Sequence, residues 1–341
     1  KSVFLHNKQK SNMSDMKALV DQFPAQLREA IVIGEKFSMT KPSKEIRNIL
    51  ITGLGGSGIG GTIVSEIVFN ECKVPVTVNK DYFVPAFVND ESLVIVCSYS
   101  GNTEETLQAM ELAMEKNAKI ICITSGGKVA EIAKAKNLDH IMIPGGLPPR
   151  ACIGYSLTQL FYVFVAGGFA GKHIIDELKT SVELIENEKS SILKEANSLT
   201  EFFLNKIPVI YAVDGYNGVA TRFRQQINEN SKMLCWHHIL PEMNHNELVG
   251  WTEKHDELAV IILRSDNDYA RTQSRIEISK SVFSKYAGVR ECYSKGKSQV
   301  ERSIYLIHLT DWVSVLLAEK KQIDATEVNI INHLKGELSK I

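Results

Sequence analysis

Apolar and polar positions along the chain alternate between two periods. After an amphipathic helical lead from Met16 to about Glu35, short strand-like apolar runs interleave with helix-length segments: Asn48–Thr52, Gly58–Phe69, Val74–Asn79, Leu93–Ser98, Thr103–Lys116, Lys119–Thr124, Val129–Ala135 and His140–Pro144. This order predicts a mainly parallel sheet flanked by helices. A second alternation opens at Ile207–Val213. It runs through a helix near Gly218–Lys232, strands near Leu234–Ile239 and Leu258–Arg264, a helix at Ala270–Lys285, a strand at Gly288–Tyr293 and a long helix from about Val300. The expected architecture is α/β in two halves: residues 13–170 hold the N-terminal helix and a first domain, 171–205 a charged connecting helix, and 206–341 a second domain with a C-terminal helix. No low-complexity tract or short-period repeat is present, so any kinship between the halves is architectural.

A chain of 341 residues, 44% hydrophobic, has room for two cored domains. Its net charge is -1 with the signs interspersed, which argues against nucleic acid and against a membrane surface as partners and leaves a small molecule. Six cysteines without a C-x-x-C read as buried thiols in a reducing, cytoplasmic setting. Lys1 to Lys10 lacks the apolar core of a secretory signal, and Met13 opens the better-patterned stretch, so residues 1–12 are set aside from the fold. The apolar segment Ala151–Gly171 has nearly the length of a membrane span, but Ser156, Thr158, Gln159 and its glycines favour a buried helix at a domain or subunit interface.

The chemistry concentrates in two loops. GLGGSGIGG, Gly53 to Gly61, lies between a strand and a helix, where backbone N–H groups and a positive helix end face an anion. It contains a G-x-G-x-x-G, and Asp81 stands near where a dinucleotide's ribose would want a carboxylate. Against that reading, Ser57 places a hydroxyl in the loop, and SYSGNTEET after the third strand is a second strand-to-helix turn rich in hydroxyls. Ser57, Ser98, Ser100 and Thr103, with the backbone of Gly55 and Gly56, can surround one phosphomonoester without a lysine. The competing reading of the second loop is helix capping by Asn102 or Thr103.

GLGGSG with SYSGNTEET resembles the sugar-isomerase (SIS) domain. From about Met13 to Ile341 the chain resembles the bifunctional phosphoglucose/phosphomannose isomerase family. The further matches are PPRACIGY from Pro148, ENSK from Glu229, PEMNHNE from Pro241 and INHLK from Ile331. The resemblance implies two SIS-type domains, a hexose 6-phosphate substrate, no cofactor, and a homodimer with active sites between subunits. It assigns Glu229 to the proton shuttle between C1 and C2, His245, supplied by the neighbour, and Lys335 to ring opening, and Arg150 to the enediolate.

Aldose–ketose isomerisation through an enediol needs a carboxylate-strength base, a proton-transferring group at the ring oxygen and fixed positive charge, and does not require zinc. Each candidate has a plainer alternative. Glu229 could pair with Lys232 on a helix surface. His245 could be structural, or could share a metal with His237, His238, Glu242 or Glu247, although no strong ligand spacing is present. Dual epimer specificity is associated in this family with a small residue shortly before Lys335, where Thr326 and Val328 both stand. Two rival functions are a dinucleotide-dependent oxidoreductase and a SIS sensor that binds sugar phosphate without turning it over.

Overall fold

In the computed structural model, which describes residues 15–341, two parallel sheets carry the chain. The expected opening at Met13 lies outside the described residues. The helical lead is two helices, α1 (Met16–Asp21) and α2 (Phe23–Gly34), because Pro24 sits in the first turn of α2 and cannot continue α1.

The first sheet has the order β2-β1-β3-β4-β5, with β1 Asn48–Thr52, β2 Val76–Asn79, β3 Ser92–Ser98, β4 Lys119–Thr124 and β5 Asp139–Met142. Central β3, SLVIVCS, is buried at every position, as an apolar run covered on both faces should be. Its helices are α3 (Gly55–Ile67), α4 (Glu104–Glu115) and α5 (Gly127–Ala135). α3 starts at Gly55, three residues before the predicted Gly58. Close packing holds these low-propensity glycines helical: a Cβ on Gly61 would lie 2.8 Å from Ile51 Cγ2.

After a short 3-10 turn at Pro149–Ala151 comes α6 (Ile153–Ala166), buried against α2 and α3. The segment read as a buried helix is thus core of its own chain from Ile153 to Phe164, with Tyr162 half-buried. No helix among the described residues is long and apolar enough to cross a membrane. The connecting helix is two, α7 (His173–Asn187) and α8 (Lys189–Phe203), which meet at Glu188.

The second sheet has the order β7-β6-β8-β9, with β6 Ile207–Val213, β7 Trp236–Leu240, β8 Leu258–Arg264 and β9 Gly288–Tyr293. α9 (Asn217–Ser231) and α10 (Ala270–Phe283) flank it. α11 (Gln299–Lys320) is buried from Val300 to Ala318 apart from two partly exposed positions, and it packs on α7, α8 and α9. It opens with a complete capping box between Ser298 and Glu301. α12 (Asn329–Leu338) buries no residue, and Ile330, Ile331, Leu334 and Leu338 stand exposed on it.

Candidate active site

The two predicted phosphate loops meet at the carboxyl ends of β1 and β3, the switch point of the first sheet. β1 and β3 approach so closely there that a Cβ on Gly53 would sit 2.6 Å from the Cys97 carbonyl oxygen, which explains the glycine at that position. Ser57 Oγ accepts the Tyr99 N–H at 3.0 Å and ties one loop to the other. Thr103 is the N-cap of α4, as the capping reading expects, yet its side chain makes no capping bond; its Oγ1 instead receives the Ser98 hydroxyl at 3.2 Å. Ser100 Oγ accepts the Asn102 N–H at 3.2 Å. Ser57 and Ser98 are buried, Thr103 is half-buried and Ser100 is exposed, so the hydroxyls grade from the floor to the mouth of one crevice.

Arg150 connects this crevice to the second half of the chain. A Cβ on Gly56 would lie 2.9 Å from the Pro149 carbonyl oxygen and 3.2 Å from Arg150 Cα, so the arginine backbone rests on the phosphate loop. Gln26 of α2 clamps the segment from behind, donating to the Ala151 carbonyl and accepting the Gly154 N–H, each at 2.8 Å. The guanidinium is buried. Nε donates to Asn230 Oδ1 at 2.7 Å, Nη1 faces Glu229 Oε2 at 3.4 Å, and Nη2 donates to the carbonyl oxygens of Ala325 and Thr326. Burial pulls its pKa down and Glu229 and Asp324 push it back, but a guanidinium stays charged throughout.

The Glu229 side chain is 28% exposed beside the 5% exposed Arg150, so a carboxylate reachable from solvent is held against a fixed cation. The surface pairing with Lys232 does not form. Lys232, in left-handed conformation at the end of α9, turns its Nζ to the Glu229 main-chain carbonyl. Thr326 reaches the site through its carbonyl, while its hydroxyl donates to Asp324; Val328 is the N-cap of α12.

His245 and Lys335 are not brought to this group within one chain. His245 is exposed in the 3-10 turn Glu242–His245 after β7, at the carboxyl edge of the second sheet. α9 returns antiparallel to β6, so Glu229 lies near the opposite edge. The 15-residue α9 therefore separates the two edges by ~22 Å. Lys335 is exposed in the last turn of α12.

The neighbours of His245 have other duties. His238 Nδ1 pairs with Glu247 Oε2 at 2.7 Å, Glu247 Oε1 takes the Tyr211 hydroxyl at 2.6 Å, and His237 Nε2 lies 3.0 Å from Thr221 Oγ1. Burial, with Arg224 nearby, pulls His237 down to about 4 and keeps it neutral. Among the described residues no group of three or more His, Cys, Asp or Glu side chains is arranged to hold a metal ion.

Sequence reasoning missed the support beneath this site. Arg222, Gln226 and Asn230 recur at i, i+4 and i+8 on the buried face of α9 and are matched by Asp311 and Ser314 of α11. Arg222 Nη2 bonds Asp311 Oδ2 at 2.6 Å and the Arg150 carbonyl at 3.0 Å, Gln226 bonds Asp311 Oδ1 at 2.9 Å, and Asn230 bonds Ser314 Oγ at 2.9 Å. The helical spacing of three polar residues beside a charged motif was the available signal.

Two parallel-sheet units, the first with a hydroxyl-lined helix start at its switch point, place the chain in the double-SIS class of proteins. Residues 44–145 match the SIS domain model and 192–338 the bacterial phospho-glucose isomerase C-terminal SIS domain. The C-terminal domain of glucosamine-fructose-6-phosphate aminotransferase from Francisella tularensis shares the fold, with a TM-score of 0.73 at 15% identity over 93% of this chain and 99% of that one. A bifunctional phosphoglucose/phosphomannose isomerase of Caldicellulosiruptor bescii is 40% identical over 94% of this chain and 98% of its own. One from Aquifex aeolicus is 36% identical over 86% and 91%. The chain belongs to the bifunctional phosphoglucose/phosphomannose isomerase family.

Proposed function

We infer that this chain interconverts glucose 6-phosphate and mannose 6-phosphate with fructose 6-phosphate through a shared enediol. The observation that carries the reading is the convergence of three groups, the Gly56 backbone, Arg150 and Glu229, at the edge of the hydroxyl crevice. Phosphate would lie at the start of α3 against the Gly55 and Gly56 backbone and the hydroxyls of Ser57, Ser98, Ser100 and Thr103, where the helix end favours an anion. Glu229 would take the proton from C2 and return it to C1. Arg150 would stabilise the enediolate with a charge that does not compete for the proton.

Ring opening would fall to Lys335 and to His245 of the partner subunit. What supports a homodimer is the distance between His245 and Glu229 within one chain and the exposed apolar side of α12, which a second copy would cover. Thr326, whose main chain already touches Arg150, is the nearer of the two candidates for the epimer-tolerant position. The test is a coupled assay with all three hexose 6-phosphates in deuterated water. Turnover with deuterium entering at C2 of the aldoses is expected, and ligand binding without exchange would overturn the reading.

A further inference from the structure

The two sheets follow one plan. β1, β2, β3 and β4 correspond in order and neighbours to β6, β7, β8 and β9, so α3 corresponds to α9 and α4 to α10. α3 and α9 pack against each other, closely enough that a Cβ on Gly218 would lie 2.6 Å from Ile63 Cγ1. Exchanging the halves exchanges two carboxylates. Glu229, late in α9, faces the crevice of the first sheet, and Glu66, late in α3, faces the corresponding crevice of the second.

That second crevice is a cavity of about 520 Å3 at the carboxyl ends of β6, β7 and β8, the switch point of its sheet. Its chemistry is opposite in sign to the first. In place of the glycine–serine loop stands Asp214-Gly215-Tyr216, and in place of SYSGNT stands Ser265-Asp266-Asn267-Asp268-Tyr269. Glu66, Asp214 and Asp268 line the cavity; Asp268 faces Arg264 Nε at 3.8 Å and accepts the Ser265 N–H at 3.0 Å, and the lining cation Arg302 already donates from Nε to the Tyr216 hydroxyl at 2.9 Å and from Nη1 to the Lys297 carbonyl at 2.8 Å. A phosphate would meet the carboxylates of Asp214 and Asp268 here. Phe69 and Tyr269, 79% and 77% exposed, offer apolar ring faces at the rim, the kind of surface on which the C–H face of a sugar packs.

We propose that this cavity is a second ligand site, which binds a sugar that bears an ammonium group and no phosphate. Asp214, exposed and with no side-chain bond found to it among the described residues, takes the ammonium, and Asn267 and Thr272 face the hydroxyls. Glu66 forms the wall of the site, its two carboxyl oxygens sharing the Gly218 N–H, each at 3.1 Å.

The test is calorimetric titration of D-glucosamine into the full-length protein, with the active site occupied by an equilibrated hexose 6-phosphate mixture. One equivalent per chain is expected, with D-glucose weaker by about tenfold or more, the worth of a hydrogen bond to a charged group. Asp214→Asn and Tyr269→Ala, both at exposed positions, should each weaken glucosamine by a similar factor and leave turnover of fructose 6-phosphate unchanged. Binding weaker than about 50 mM, displacement by the hexose 6-phosphates, or parental affinity for glucosamine in the two variants would overturn the proposal.

Discussion

Arg150 Nη1 and Glu229 Oε2 stand 3.4 Å apart, although 79 positions separate them in sequence. A base that accepts a carbon-bound proton needs its charge balanced by a group that does not itself titrate, and a guanidinium meets that need. Glu229→Gln should keep the contact and the fold and lower kcat by ~10²–10⁴, the usual worth of a positioned base. KM for fructose 6-phosphate should stay near its original value. Steady-state kinetics and C2 deuterium exchange check this, and near-normal exchange in the variant would remove Glu229 from the role.

Arg150→Lys tests whether shape matters beyond charge. Four groups on two segments, Glu229 and Asn230 of α9 and the carbonyls of Ala325 and Thr326, share one planar side chain, and an ammonium cannot span them. The expected loss in kcat/KM is ~10²–10³, comparable with deleting a donor to a developing oxyanion. A lysine variant with the circular dichroism of the parent and turnover within a factor of three would contradict it.

Gly56→Ala asks how rigidly the phosphate loop is set against Arg150. The new methyl would meet main-chain atoms at 2.9–3.2 Å, so either the loop or the Pro149–Arg150 turn must shift. A displacement on the order of 1 Å between phosphate and base costs ~10²-fold in rate. A Ser100→Ala variant at the open mouth should mainly raise KM, and a matching pattern in both variants would show that Gly56 only contacts phosphate.

Strands were legible wherever an apolar run was bounded by turn residues: β1, β4, β6, β8 and β9 begin and end where the pattern placed them. Helix limits were less so. The break at Glu188 between α7 and α8 carries no glycine or proline, and the early start of α3 depends on tertiary packing of its glycines. The hydroxyl loops could be read because each lies within a few residues of a strand end. The meeting of Arg150 with Glu229 was implied only by the family resemblance and not by the local pattern, since it joins residues about 80 apart through a polar network recorded only as a helical spacing on α9. Glu66 gave no signal either, because its position follows from a symmetry of architecture that has no counterpart in sequence.

Glu66 should make stability depend on pH. Burial raises its pKa to about 7, with Asp214 adding to the rise; the N–H groups of Gly218 and Asn217 and the charge of Lys80 oppose it. The folded state therefore holds a proton that the unfolded chain releases near the ordinary value of 4.5. A raised carboxyl pKa contributes stability that is complete below about 4.5 and is lost as pH climbs through about 7. Glu66→Gln keeps an acceptor for Gly218 and removes the titration. Urea midpoints at pH 5 and 7.5 should show the variant gaining on the parent at the higher pH, and parallel profiles would refute the buried proton.

Shared sites between subunits can be tested by mixing two inactive variants. In Glu229→Gln every site lacks its base, and in His245→Ala every site lacks the imidazole. If His245 serves the active site of the partner subunit, a mixed dimer contains one site that lacks both groups and one that has both. Random exchange of equal amounts makes half of the dimers mixed, so about a quarter of the sites, and about a quarter of parental activity, should return. If His245 instead acts within its own chain, each site of the mixed dimer lacks one group and nothing returns. The ~22 Å separation of the two sheet edges along α9 favours the first outcome. The measurement is glucose 6-phosphate turnover after partial denaturation and refolding of the mixture, with each variant alone treated identically, and activity no higher than the sum of the two controls would rule out sites shared between subunits.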